Sequence, residues 1–181
     1  MFKTMMAATA VLAALTGCVG QTQSAGTKPA PTKPAPTKPD PAKPAGDTIR
    51  FVAGPCFGFC PSYAITVEPN GSAVLVPERN TSVPGETRLT VTPLQYRKLR
   101  DSFAPFRPAT GTTHRIAQGE NCEHAATDMS GYEIVWTRQG QKKTELDFYA
   151  GCFDARYARL RAAVQAVPKT LDIEKMLKAD R

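Results

Sequence analysis

The sequence predicts an α+β domain: an antiparallel β-sheet of about six strands with two main helices packed on one face, in the order strands, helix, strands, helix. Three observations carry that expectation. Period-two runs are joined by glycine turns, two segments bear apolar stripes at helical spacing, and strands and helices come in blocks rather than in strict alternation. One domain is expected over 47–181, because 1–17 reads as a secretory signal and 18–46 as a low-complexity linker.

Thr48–Ala53 alternates Ile49, Phe51 and Ala53 with Arg50 and Val52, and Ser62–Val67 repeats the pattern with Tyr63, Ile65 and Val67. Asn70-Gly71, preceded by Pro69, signals a hairpin into a third strand at Ser72–Val76. A fourth is expected at Glu86–Val91. Thr92 then caps a helix, with Pro93 at its first position and Gln95 at its third forming a capping box. Tyr96, Leu99 and Phe103 are its buried stripe. From 104 to 126, Pro105, Pro108, Gly111 and Gly119 break any periodicity, so a long loop is expected there, of the kind that is functional or pinned. Gly131–Arg138, Gln139-Gly140 and Lys142–Tyr149 read as a second hairpin. Asp154 is expected to cap a second helix carrying Tyr157, Leu160, Val164 and Val167, Pro168 to stop it, and Thr170 to cap a short last helix with Leu171 and Leu177.

The net charge of +7 would suit a nucleic-acid binder if it were spread over the domain. It is not. Of 23 bases and 16 acids, five lysines and only Asp40 fall in 1–46, which leaves 18 and 15 for the domain. No nucleic-acid partner is expected, and no cofactor.

The first 17 residues hold Lys3, an apolar run from Met5 to Leu15, and then Leu15-Thr16-Gly17-Cys18. The run is shorter than the roughly 20 residues that a spanning helix needs. Leu-Thr-Gly-Cys resembles the lipobox of bacterial lipoproteins, which implies cleavage before Cys18 and acylation of that cysteine, hence a membrane partner through the anchor. In family terms, Val19 in place of an aspartate implies the outer membrane, facing the periplasm. The linker repeats Thr27-Lys28-Pro29-Ala30-Pro31 at five-residue spacing, and seven of the 16 prolines lie in 21–46. Proline removes donors and favours polyproline II. A spacer is the simplest reading, with an extended reach on the order of 80 Å.

Four cysteines remain: Cys56, Cys60, Cys122 and Cys152. In an exported chain an even number reads as disulfides, with three possible pairings. We expect Cys56 with Cys60 and Cys122 with Cys152. The first pair must fold back on itself, which Gly58 permits, and Pro61 sends Cys60 into the next strand. Chain entropy assigns about 2 kcal/mol to that small ring and closer to 4 to the larger loop.

Pro55-Cys56-Phe57-Gly58-Phe59-Cys60-Pro61-Ser62-Tyr63, followed by alternating residues and Asn70-Gly71, resembles the bacterial family catalogued as domain of unknown function 6438. Thr127-Asp128 and Tyr149-Ala150-Gly151 echo it further, and the likeness covers most of 48–167. The resemblance implies an exported, often lipid-anchored protein and no particular reaction. It also implies that Cys56 and Cys60 form a self-contained pair, with Cys122 and Cys152 an addition of this chain.

The competing reading is a periplasmic copper or zinc site using Cys56 and Cys60. Cys-x3-Cys-Pro also resembles the copper motif of Sco-type chaperones, and Cys122-Glu123-His124 would offer further ligands. In that family the motif opens a helix, whereas Ser62–Val67 reads as a strand. His114 and His124 fall in the irregular stretch, where surface histidines are the simpler expectation. No enzyme is expected: the acids Glu120, Glu123, Asp128, Glu145, Asp147 and Asp154 are scattered, and Gly54–Gly58 lacks the lysine and helix of a phosphate loop. Arg97, Lys98 and Arg100, and Arg156, Arg159 and Arg161, read as the wet faces of the two helices. What remains is a binding module for an envelope protein, peptide or glycan, with Phe57, Phe59 and the 105–126 loop as the candidate contact surface.

Overall fold

The computed structural model describes residues 45–178. The expected signal segment, the expected lipidation position Cys18 and the expected linker up to residue 44 lie outside the described residues. Among those described, no helix is long and apolar enough to cross a membrane.

The domain is α+β. Its strands are β1 (Thr48–Ala53), β2 (Ser62–Val67), β3 (Ser72–Arg79), β4 (Thr87–Thr90), β5 (Thr113–Gln118), β6 (Asn121–Cys122), β7 (Gly131–Thr137) and β8 (Thr144–Tyr149). Helix α1 (Pro93–Phe103) follows β4, and α2 (Ala158–Thr170) follows β8. They form one sheet in the order β4-β3-β2-β1-β7-β8-β5-β6, so the order strands, helix, strands, helix holds, with eight strands instead of six.

The sheet is mixed, not wholly antiparallel. β5 lies parallel to β8, with Ile116 beside Phe148, and β6 lies parallel to β5. Both strands come from the stretch expected to be a loop. In β5 only Ile116 is buried and the strand lies near a sheet edge, so apolar alternation gives no signal there.

Alternation elsewhere becomes burial. Ile49, Phe51 and Ala53, Tyr63, Ile65 and Val67, Ile134 and Trp136, and Leu146 and Phe148 line one sheet face. Tyr96, Leu99 and Phe103 of α1 and Leu160, Val164 and Val167 of α2 close over it, with the Phe51 and Phe103 rings 6.0 Å apart. The other face shows Arg50, Glu133 and Asp147 to solvent, with Arg50 paired to Glu133 at 2.8 Å.

The ends of elements follow local chemistry. Thr92 accepts from the Gln95 N–H while the Gln95 side chain accepts from the Thr92 N–H, which completes the capping box. Gly71, at φ 89°, turns β2 into β3, and an added Cβ would stand 2.4 Å from the Val91 carbonyl oxygen.

The second helix departs from expectation at both ends. Asp154 precedes a 3₁₀ turn (Ala155–Tyr157) and makes no capping bond; its carboxylate is engaged elsewhere. Pro168 lies inside α2 and does not stop it. The helix is closed off by Asp172, two residues past Thr170 and at φ 58°, where the Ile173 N–H reaches the Pro168 carbonyl at 2.9 Å and the Asp172 N–H that of Lys169 at 3.3 Å. This is a Schellman closure, and Ile173 is buried behind it. Thr170 therefore belongs to α2, and the last short turn (Glu174–Leu177) starts after Ile173.

Candidate contact surface at one end of the sheet

β1 ends at Ala53, paired with Tyr63 where β2 begins and with Tyr132 near the start of β7. Tyr132 in turn pairs with Phe148 near the end of β8. The segments 54–61, 123–130 and 150–154 therefore leave the sheet at the same end.

Cys56 and Cys60 are bridged, with Cα atoms 5.7 Å apart, and Gly58 at φ 136° lets the five-residue ring close. Two hydrogen bonds fix the ring to its surroundings. The Phe57 N–H donates to the Asp128 carbonyl at 3.0 Å, and the Asn80 side-chain amide donates to the Cys60 carbonyl at 3.1 Å. Asn80 and Asp128 both sit at positive φ, a conformation their short polar side chains tolerate. Phe57 is 88 % exposed and Phe59 84 %. They are not core plugs. Met129, next to Asp128, and Phe153 add exposed apolar surface from the neighbouring loops. Neither belonged to a periodic run, so no sequence pattern singled them out.

The second bridge joins Cys122 to Cys152 with Cα atoms 5.9 Å apart, both nearly inaccessible to solvent. It ties the end of β6 to the segment after β8. Asp154 reinforces it by accepting from the backbone N–H groups of Glu123, at 3.1 Å, and His124, at 3.0 Å. Those donors, the Glu123 N–H first, hold the Asp154 carboxyl below its ordinary range. The 123–126 loop is thus pinned, while the His124 ring itself is largely exposed. Arg161 donates to the carbonyls of Ala150 and Cys152 and lies over the Phe153 ring at 4.8 Å, so it fastens this end and is not part of a wet face. Arg97, Lys98 and Arg159 are exposed, as expected.

At the other end of β1, about 20 Å away for a strand of this length, Asp47 is buried with its carboxylate between two guanidinium groups. Arg107 Nη1 donates to it at 2.6 Å and Arg138 Nε at 3.0 Å, while its carbonyl accepts from Tyr96 Oη at 2.7 Å. Burial disfavours the charged form, but the hydrogen bonds and charges of the two arginines outweigh it and lower the carboxyl's pKa. The sequence showed Asp47 only as a domain boundary.

The copper or zinc reading needs free thiolates at Cys56 and Cys60, and here each sulfur is bonded to the other. Cys122, Cys152 and Asp154 bring potential ligand atoms within 4.8 Å of one another, but those two sulfurs are also bonded together.

Fold and site together define a small, twice-bridged α+β domain whose exposed aromatic residues are gathered at one end of its sheet. The chain belongs to the family described as Domain of unknown function (DUF6438), whose model matches residues 47–171. No curated protein and no solved structure matches it.

Proposed function

We propose that the protein is a lipid-anchored binding module of the bacterial envelope that engages a partner protein, peptide or glycan through Phe57 and Phe59. The observation that carries this reading is the exposure of two phenylalanines on a ring closed by a disulfide and held by backbone hydrogen bonds. Exposed aromatic residues on a rigid turn lose little conformational entropy on binding and supply large apolar contact area. The leader ending at Cys18 and the two bridges support an exported, membrane-tethered setting on the periplasmic side of the outer membrane. The ring lies at the opposite end of β1 from Asp47.

The test is crosslinking in the native envelope followed by mass spectrometry, on the natural chain and on the Phe57→Ser/Phe59→Ser variant. Loss of the crosslinked partner with a nearly unchanged melting temperature supports the reading, since exposed substitutions typically move stability by less than about 0.5 kcal/mol. A large loss of stability with the partner retained would overturn it.

A further inference from the structure

Behind the cysteine ring, the sheet and α2 leave a cavity of about 210 Å³, lined by Tyr63 and Tyr132 from the strands, by Val164, Gln165 and Pro168 from the helix, and by Ser130. Tyr63 is 2 % exposed, yet its hydroxyl makes no hydrogen bond among the described residues. Among those residues, no side-chain nitrogen or oxygen sealed from solvent lacks a partner, so this hydroxyl must reach the open cavity. Burial, with the neighbouring Tyr132 phenol, pushes the Tyr63 pKa upward, so the group is a neutral donor and acceptor across the physiological range. The helical wall offers a second polar group, the Gln165 side chain.

These features restrict what fits. No charged side chain lines the cavity, which disfavours an ionised ligand. Most of the wall is aromatic or aliphatic, which suits a flat ring better than a sugar with a hydroxyl on every carbon. An apolar cavity of about 150 Å³ admits benzene, so this larger one has room for a ring bearing a polar substituent. We propose that the cavity binds a neutral phenolic ring, either a free small phenol or the tyrosine side chain of a peptide, with the ligand hydroxyl bonded to Tyr63 Oη. The site adjoins the cysteine ring, whose Cys60 and the following Pro61 form part of its wall, but neither Phe57 nor Phe59 lines it.

The experiment titrates p-cresol, N-acetyltyrosinamide and toluene into the ¹⁵N-labelled full chain with both bridges closed, following the amide resonances of Ser130 and Gln165. Saturable shifts with p-cresol are expected. Tyr63→Phe should weaken p-cresol roughly fivefold to tenfold, as loss of one neutral hydrogen bond does, and leave toluene unchanged. Gln165→Trp changes an exposed position at the mouth and should abolish binding of all three while the circular dichroism spectrum stays the same. Saturation by N-acetyltyrosinamide as well would identify a peptide side chain as the ligand, and saturation by p-cresol alone a free phenol. Binding should survive in the Phe57→Ser/Phe59→Ser variant, which separates this site from the contact surface. Absence of saturable shifts in the natural chain, or shifts undiminished in Gln165→Trp, would overturn the proposal.

Discussion

Replacing Cys122 and Cys152 together by alanine should destabilise the domain more than replacing Cys56 and Cys60. The bridged positions are 30 residues apart in the first pair and 4 in the second. In the chain-entropy model those separations correspond to about 3.6 and about 1.9 kcal/mol of stabilisation at 25 °C. Packing widens the gap, because Cys122 and Cys152 are 6 % and 0 % exposed and leave a partly empty site behind them. Cys56 and Cys60 are only half-buried and lose less. Equilibrium unfolding in guanidinium chloride measures both variants against the natural chain. Each extrapolation should use its own slope, because opening a loop lets the unfolded chain expand. The expected difference between the two losses is about 2 kcal/mol or more. Equal losses, or a larger loss for the Cys56–Cys60 variant, would refute the reasoning and make the small ring the principal staple.

Asp47→Asn should cost about 2–3 kcal/mol, less than a fully buried pair would lose, because the Arg138 side chain is 48 % exposed and can return to water. The two arginines lower the Asp47 pKa, so their stabilisation is complete above the ordinary aspartate pKa and fades as pH falls through the lower folded-state value. Acid titrations of thermal stability should therefore show a shallower acid limb in the variant than in the natural chain. Gly71→Ala must take a left-handed φ and place Cβ 2.4 Å from the Val91 oxygen, for a loss of roughly 2–4 kcal/mol by denaturant unfolding. Asp172→Gly should act in the opposite direction and raise stability by about 1 kcal/mol, since glycine takes the left-handed closing position of α2 without strain.

The features legible in the sequence were those set by neighbouring residues. Thr92, Pro93 and Gln95 specify the start of α1 within four positions, and Pro69-Asn70-Gly71 specifies its hairpin in three. The alternation in β1, β2, β7 and β8 survived because each has one wet face and one dry face. β5 escaped because a near-edge strand with one buried side chain leaves no period to detect, and its parallel pairing with β8 is a long-range choice. Asp154 had the residue type and position of a helix cap, but Glu123 and His124 offered its carboxylate two backbone donors from a distant loop. Pro168 was misleading for a related reason: the closure at Asp172 and the burial of Ile173 carry the helix past it. At the candidate contact surface, the cysteine spacing announced a tight ring. Whether Phe57 and Phe59 turned inward depended on what lay across from them, and Asp128 and Asn80 hold the ring from segments that local patterns do not connect.

An exported domain that works as a binding module must have both bridges closed before it meets a partner. Alkylation of the chain recovered from its native envelope, before and after reduction, with peptide mapping of Cys56, Cys60, Cys122 and Cys152, tests this most directly. No label on these four before reduction and label on all four afterwards is the predicted result. Label at Cys56 and Cys60 without any reductant would contradict it, and would restore a pair of thiols free to bind metal.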